Sequence, residues 1–219
     1  MKFPHAHKGV KLIFIAEIIT LLATLVALVA AIIVSAATSG NAGLTATAAT
    51  LTFISGIAGI VVFVADVAGL FYGAKDSREF KIALWIVLAG ILVSIAYTVL
   101  QSLDATKGLS PILFAVLATV STLCDFFVVL CVLFGISGLA EKLGNSEMAE
   151  KGRKLAFYVI LIYAVSLILG LMPGFNGYIA NPGLRLLFSI FGVAAVALEI
   201  AVYVSTLFYL HRSIEMLEE

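Results

Sequence analysis

Charge, cysteine, proline and catalytic signatures are all scarce in this chain of 219 residues. Charged residues make up 12%, against a hydrophobic fraction of 63%. A soluble domain carries about 25% charge, so an ordinary water-soluble fold is excluded. No HExxH, GxSxG or P-loop pattern occurs. The usual markers of metallohydrolases, serine hydrolases and nucleotide enzymes are therefore missing. The chain is expected not to be an enzyme and to need no cofactor. Of the two cysteines, Cys124 stands about 10 Å from Cys131 along one helix axis, beyond disulfide reach. His5 and His7 do not share a helical face, and His211 has no ligand cluster beside it. No metal site is expected.

What is present is long apolar runs. About 20 residues at 1.5 Å each cross a hydrocarbon core of roughly 30 Å. Six stretches qualify, and their backbones must be helical to pair every polar group in lipid. The spacing predicts helices over 10–37, 44–73, 77–103, 111–139, 146–171 and 182–212. The first stretch has a basic start. Its apolar core exceeds the 7–15 residues of a signal peptide, so it is expected to be a retained span. Ser110-Pro111 and Asn181-Pro182 place a capping side chain before a first-turn proline. Asp76 with Glu79 resembles a capping box for the third helix. Pro173-Gly174 ends the fifth. Loops this short leave no room for an inserted soluble domain, so 1–219 reads as a single polytopic membrane domain.

The charges are sorted by side. Lys2, Lys8, Lys11, Lys75, Arg78, Lys81, Lys142, Lys151, Arg153, Lys154 and Arg212 fall on one side, and Lys107 and Arg185 on the other. That bias predicts cytoplasmic N- and C-termini. The expected setting is a bacterial cell membrane. The basic clusters suit anionic lipid headgroups rather than nucleic acid.

The chain also restarts. "KGVKLIF" at Lys8, "EFKIALW" at Glu79 and "KGRKLAF" at Lys151 each open an outward helix. The returning helices end in "GLFYGAK", "VLFGISG" and "TLFYLHR". The fold class is thus read as an all-α integral membrane protein of six transmembrane helices, arranged as three helical-hairpin repeats in one bundle. Positive-inside sorting alone also produces a Lys at each restart, and that reading stays open. The Pro-x-acidic-x-x-basic signature of the mitochondrial carriers is absent from the odd helices.

Four acids lie within the apolar stretches: Glu17, Asp66, Asp125 and Glu199. A charge at mid-bilayer costs several kcal/mol, so such residues turn to protein or water. Each sits in a series of small and polar residues at steps of three and four, which trace one helix face. Asp125 and Glu199 both lie about 13 Å before the exit aromatics Phe134 and Phe208. Ser94, Tyr97, Tyr163 and Ser166 are the expected hydrogen-bond donors to the acids.

Two functions fit. One is a transport-type protein: a proton- or cation-linked channel, a carrier or a solute-binding subunit, with the acids as ion or solute sites. In size, helix number and inner termini the chain resembles the substrate-binding subunits of energy-coupling-factor importers. Ala23, Ala27 and Ala31 resemble the helix-1 face those subunits use to meet a partner. The other is a non-catalytic assembly protein that packs or oligomerises through small-residue faces. The expected partners are the bilayer and either a second copy or a partner membrane subunit.

Overall fold

A computed structural model describes residues 2–36, 42–107, 111–171 and 182–218. They form six helices: α1 Pro4–Ala36, α2 Ala42–Gly73, α3 Arg78–Lys107, α4 Pro111–Lys142, α5 Ser146–Leu171 and α6 Pro182–Glu218. Among the described residues the protein is all-helical, and five of its helices are long and apolar enough to cross a membrane. α5 places Glu147, Glu150, Lys151, Arg153 and Lys154 in its first turns, ahead of an apolar run. The caps assigned to Ser110 and Asn181, and the Pro173-Gly174 stop, lie outside the described residues.

The chain divides into two compact units. The first is Met1–Asp76 with Ile214–Glu219, and the second is Ser77–Ser213. In the first, α1 packs along α2; in the second, α4 packs against both α3 and α5.

Helix ends follow backbone chemistry. α1 starts two turns earlier than hydropathy suggests. Pro4 takes the first helical position, where its missing N–H costs nothing. The Asp76 carboxylate accepts the Ala6 N–H at 2.7 Å, satisfying one of the orphan donors of that first turn. Asp76 therefore caps α1, and the expected capping box on α3 does not form. α3 begins at Arg78, which makes Ser77 its N-cap and puts Glu79 one position too early for the box. Ser77 Oγ instead donates to Glu79 Oε2 at 2.5 Å.

α4 ends in a Schellman motif. Asn145 N donates to Ala140 O at 2.9 Å and Gly144 N to Glu141 O at 3.0 Å. Gly144 has φ +80°, the left-handed value that this closure requires. Asn145 then caps α5, its Oδ1 accepting the Met148 N–H at 3.1 Å. Lys151 reaches Glu147, Lys154 reaches Glu150 at 2.7 Å, and Arg153 Nη2 bridges to Glu141 of α4 at 3.0 Å.

The core gathers at the basic end of each unit. In the first unit Val10, Leu70 and Leu217 are fully buried. In the second, Phe80, Leu133, Ile136, Leu139, Leu210 and Ser213 are. α6 runs on to Glu218, past the expected 212, because Met216 and Leu217 are buried there. Toward the other ends, large apolar side chains such as Leu28, Phe53, Leu92, Val116 and Val193 are exposed, as lipid-facing residues must be.

Candidate functional site

The register of α1 on α2 is set by glycines. A Cβ placed on Gly9 would stand 2.5 Å from Gly69 O and 2.8 Å from Gly73 N. One placed on Gly69 would meet Ile13 Cγ1 at 2.7 Å. Only hydrogen fits between two backbones at that spacing. The antiparallel pair then carries Glu17, one turn beyond Ile13, to the level of Asp66, one turn before Gly69. Both acids lie about 5 Å further into the span than the Ile13–Gly69 contact. Both are half-buried, and Asp66 lies within electrostatic reach of Glu17. No Lys or Arg occurs between Lys11 and Lys75. Between Lys11 and Lys75 the α1–α2 pair therefore carries two acids at one level and no basic side chain.

Asp125 and Glu199 are placed differently. Both lie on exposed faces, of α4 and α6 respectively. Beside Asp125, Phe126 turns the other way and stacks on Tyr163 of α5, with ring centroids 4.2 Å apart and planes at 20°. Tyr97 packs edge-on against Phe114 at 5.7 Å. Ser94 is exposed and Ser166 half-buried. Among the described residues, none of these four hydroxyls bonds to an acid. Within the first unit the structure brings Glu17 and Asp66 to one level; in the second, Asp125 and Glu199 stand on exposed faces.

The other hydroxyls mostly serve their own helices. Thr20, Thr52, Thr98, Thr122 and Thr206 each donate to the carbonyl one turn back, at 2.9–3.0 Å. A hydroxyl satisfied this way costs nothing in lipid and leaves no donor for a neighbour. Contacts that cross between helices include Ser55 Oγ donating to Ala23 O at 3.4 Å and Ser137 Oγ meeting Tyr209 Oη at 3.4 Å.

The Glu17–Asp66 pairing was hidden from sequence reasoning. The distance to the exit aromatics matches Asp125 with Glu199 and says nothing of what Glu17 and Asp66 meet. The signal that could have found it is the glycine set Gly9, Gly69 and Gly73, which fixes how α1 meets α2.

Comparison with protein-family models, with curated proteins and with solved structures finds no match.

Proposed function

We propose that this membrane protein is of transport type, proton- or cation-linked, and that Glu17 and Asp66 form its ion-handling pair. The observation that carries this is the juxtaposition of two carboxylates at one level of a helix pair that has no basic residue between Lys11 and Lys75. Two such groups in a poorly solvated site do not both ionise unless a proton or a cation sits with them. Intramembrane acids of this kind mark ion pathways. The bias of basic residues supports cytoplasmic termini, and on that reading the pair lies nearer the cytoplasmic ends of α1 and α2.

The hairpin repeat belongs to the same reading. Aligning Lys11 with Lys154 matches Gly9 with Gly152, and both glycines sit at close helix crossings. Phe71, Phe134 and Phe208 are all exposed, and the residues two further on, Gly73, Ile136 and Leu210, are all buried.

The test is ion flux in proteoliposomes under an imposed proton or monovalent-cation gradient. Glu17→Gln and Asp66→Asn should each abolish flux while the protein stays folded. Unchanged flux in both variants rejects the pair as the ion site. A specific observation favours the second reading, assembly through helix faces: Asp125 and Glu199 are exposed on the single chain. If a partner subunit or second copy covers them, Asp125→Asn and Glu199→Gln weaken that association and leave flux untouched.

A further inference from the structure

The helices that restart the chain differ in what their basic residues meet. On α5, Lys151 pairs with Glu147, Lys154 with Glu150 at 2.7 Å, and Arg153 with Glu141 of α4 at 3.0 Å. On α3, Arg78 and Lys81 are exposed and stand in no ion pair among the described residues. The carboxylate between them in sequence, Glu79, accepts from Ser77 Oγ at 2.5 Å. Glu79 and the fully buried Phe80 turn toward α4. A Cβ on Gly135 would stand 2.9 Å from the Phe80 ring and 3.3 Å from Glu79 Cβ. That packing fixes the rotation of α3 about its axis. Arg78, Lys81, Trp85, Leu88 and Leu92, at steps of three and four, then share the opposite face. All five are exposed, Trp85 by 65% and Leu92 by 69%. α1 carries Lys8 and Lys11 at the same spacing, but Ile15 stands in the place of Trp85.

We propose that this face of α3 binds one anionic phospholipid of the leaflet at the basic end, its phosphate held by Arg78 and Lys81 and its acyl chain lying over Trp85, Leu88 and Leu92. Each part of the face suits a different part of that molecule. The arginine fork bonds phosphate oxygens in pairs, and the lysine one turn on adds a second cation. Both side chains are long enough to lay their stems on apolar surface and keep their charge at the headgroups. Tryptophan favours the headgroup level of the interface. From Lys81 to Leu92 the helix rises about 17 Å, close to one leaflet's share, about 15 Å, of the hydrocarbon core. A zwitterionic lipid would bring its own cation to the two already there, so the face selects for net negative charge. The site does not depend on transport: it follows from the charges and packing of α3 alone.

Trp85 is the only tryptophan in the chain, so tryptophan fluorescence reports on this face. The test is quenching of Trp85 in full-length protein in lipid nanodiscs. The quenchers are phosphatidylglycerol and phosphatidylcholine brominated on the acyl chain, compared at equal mole fraction. Bromine quenches at contact range, so the signal tells which lipid lies over Trp85. The anionic lipid should be preferred by up to about 30-fold, because each basic residue near anionic headgroups contributes about fivefold. Arg78→Gln/Lys81→Gln should remove the preference. Lys8→Gln/Lys11→Gln takes away the same charge elsewhere and should leave it intact. Equal quenching by the two lipids in the unmodified protein overturns the site. So does a preference that survives Arg78→Gln/Lys81→Gln. A preference that Lys8→Gln/Lys11→Gln lowers as far would trace it to overall surface charge and overturn the site as well. Salt supplies a measurement without substitution. The preference should shrink as ionic strength rises from about 0.1 M to about 1 M, where the screening length falls from about 10 Å to about 3 Å. A preference indifferent to salt would show that Arg78 and Lys81 do not hold the phosphate.

Discussion

Gly9 on α1 lies against the backbone of Gly73 on α2, so closely that a Cβ on Gly9 would stand 3.2 Å from the Gly73 α-carbon. The contact sits at the basic end, beside fully buried Val10 and Leu70. It sets the level at which every later residue of α1 meets α2, including Glu17 and Asp66. Stability and the candidate site share this one crossing.

Gly9→Ala should therefore destabilise the protein by about 1–3 kcal/mol, the usual cost of overpacking, because the atoms in the way are backbone and cannot rotate aside. Gly69→Ala should behave alike, with Ile13 Cγ1 at 2.7 Å and Gly9 O at 2.8 Å from the new methyl. Gly59→Ala on the same helix meets nothing within 4 Å. It should be neutral or stabilising by up to about 1 kcal/mol through helix propensity. Thermal unfolding of the three variants in one detergent checks the order. Equal effects at Gly9 and Gly59 would contradict the close crossing.

Asp76 holds the start of α1 through the Ala6 N–H. Asp76→Ala should cost about 1 kcal/mol, as loss of a capping carboxylate does. Amide exchange at Ala6 should quicken, while the amides of α3 stay as protected as before. Faster exchange at the start of α3 instead would restore the capping box that the sequence suggested.

The first turns of α5 should respond to acid. The Glu147 and Glu150 carboxyls are held below the ordinary glutamate range, first by the hydrogen bonds from Lys151 and Lys154 and then by the charges of those lysines. A group depressed in the folded state contributes fully above its unfolded pKa, about 4.3, and loses that contribution as pH falls through the lower folded value. Amide exchange over 147–154, corrected for its intrinsic pH dependence, should rise below about pH 4. Glu147→Gln/Glu150→Gln should remove that rise. A rise that persists in the double variant would trace the acid response to another group.

Topology is checked by labelling from outside in intact cells, without the native cysteines. A membrane-impermeant thiol reagent should reach Gly177→Cys, a position outside the described residues, and should not reach Gly144→Cys on the basic side. The opposite pattern would reverse the orientation.

Sequence alone determined the class of this protein. Six apolar runs in a medium without hydrogen-bonding solvent leave the backbone one choice, and the helices lie within a few residues of the hydropathy boundaries except where Pro4 and Met216-Leu217 extend them. The sorting of Lys and Arg along the chain rests on counting charges and not on packing. Tertiary structure decided the rest. Whether Asp76 caps α3 or α1 turned on which helix start came within reach of its carboxylate. Whether an intramembrane acid has a companion depended on the register between helices, which two glycines set by letting backbones touch. A helical face of small and polar residues looks the same in sequence whether it meets another helix or lipid. The Asp66 face meets α1 and the Asp125 face stays exposed, because small residues permit close approach and only the packing of the particular helices determines where it occurs.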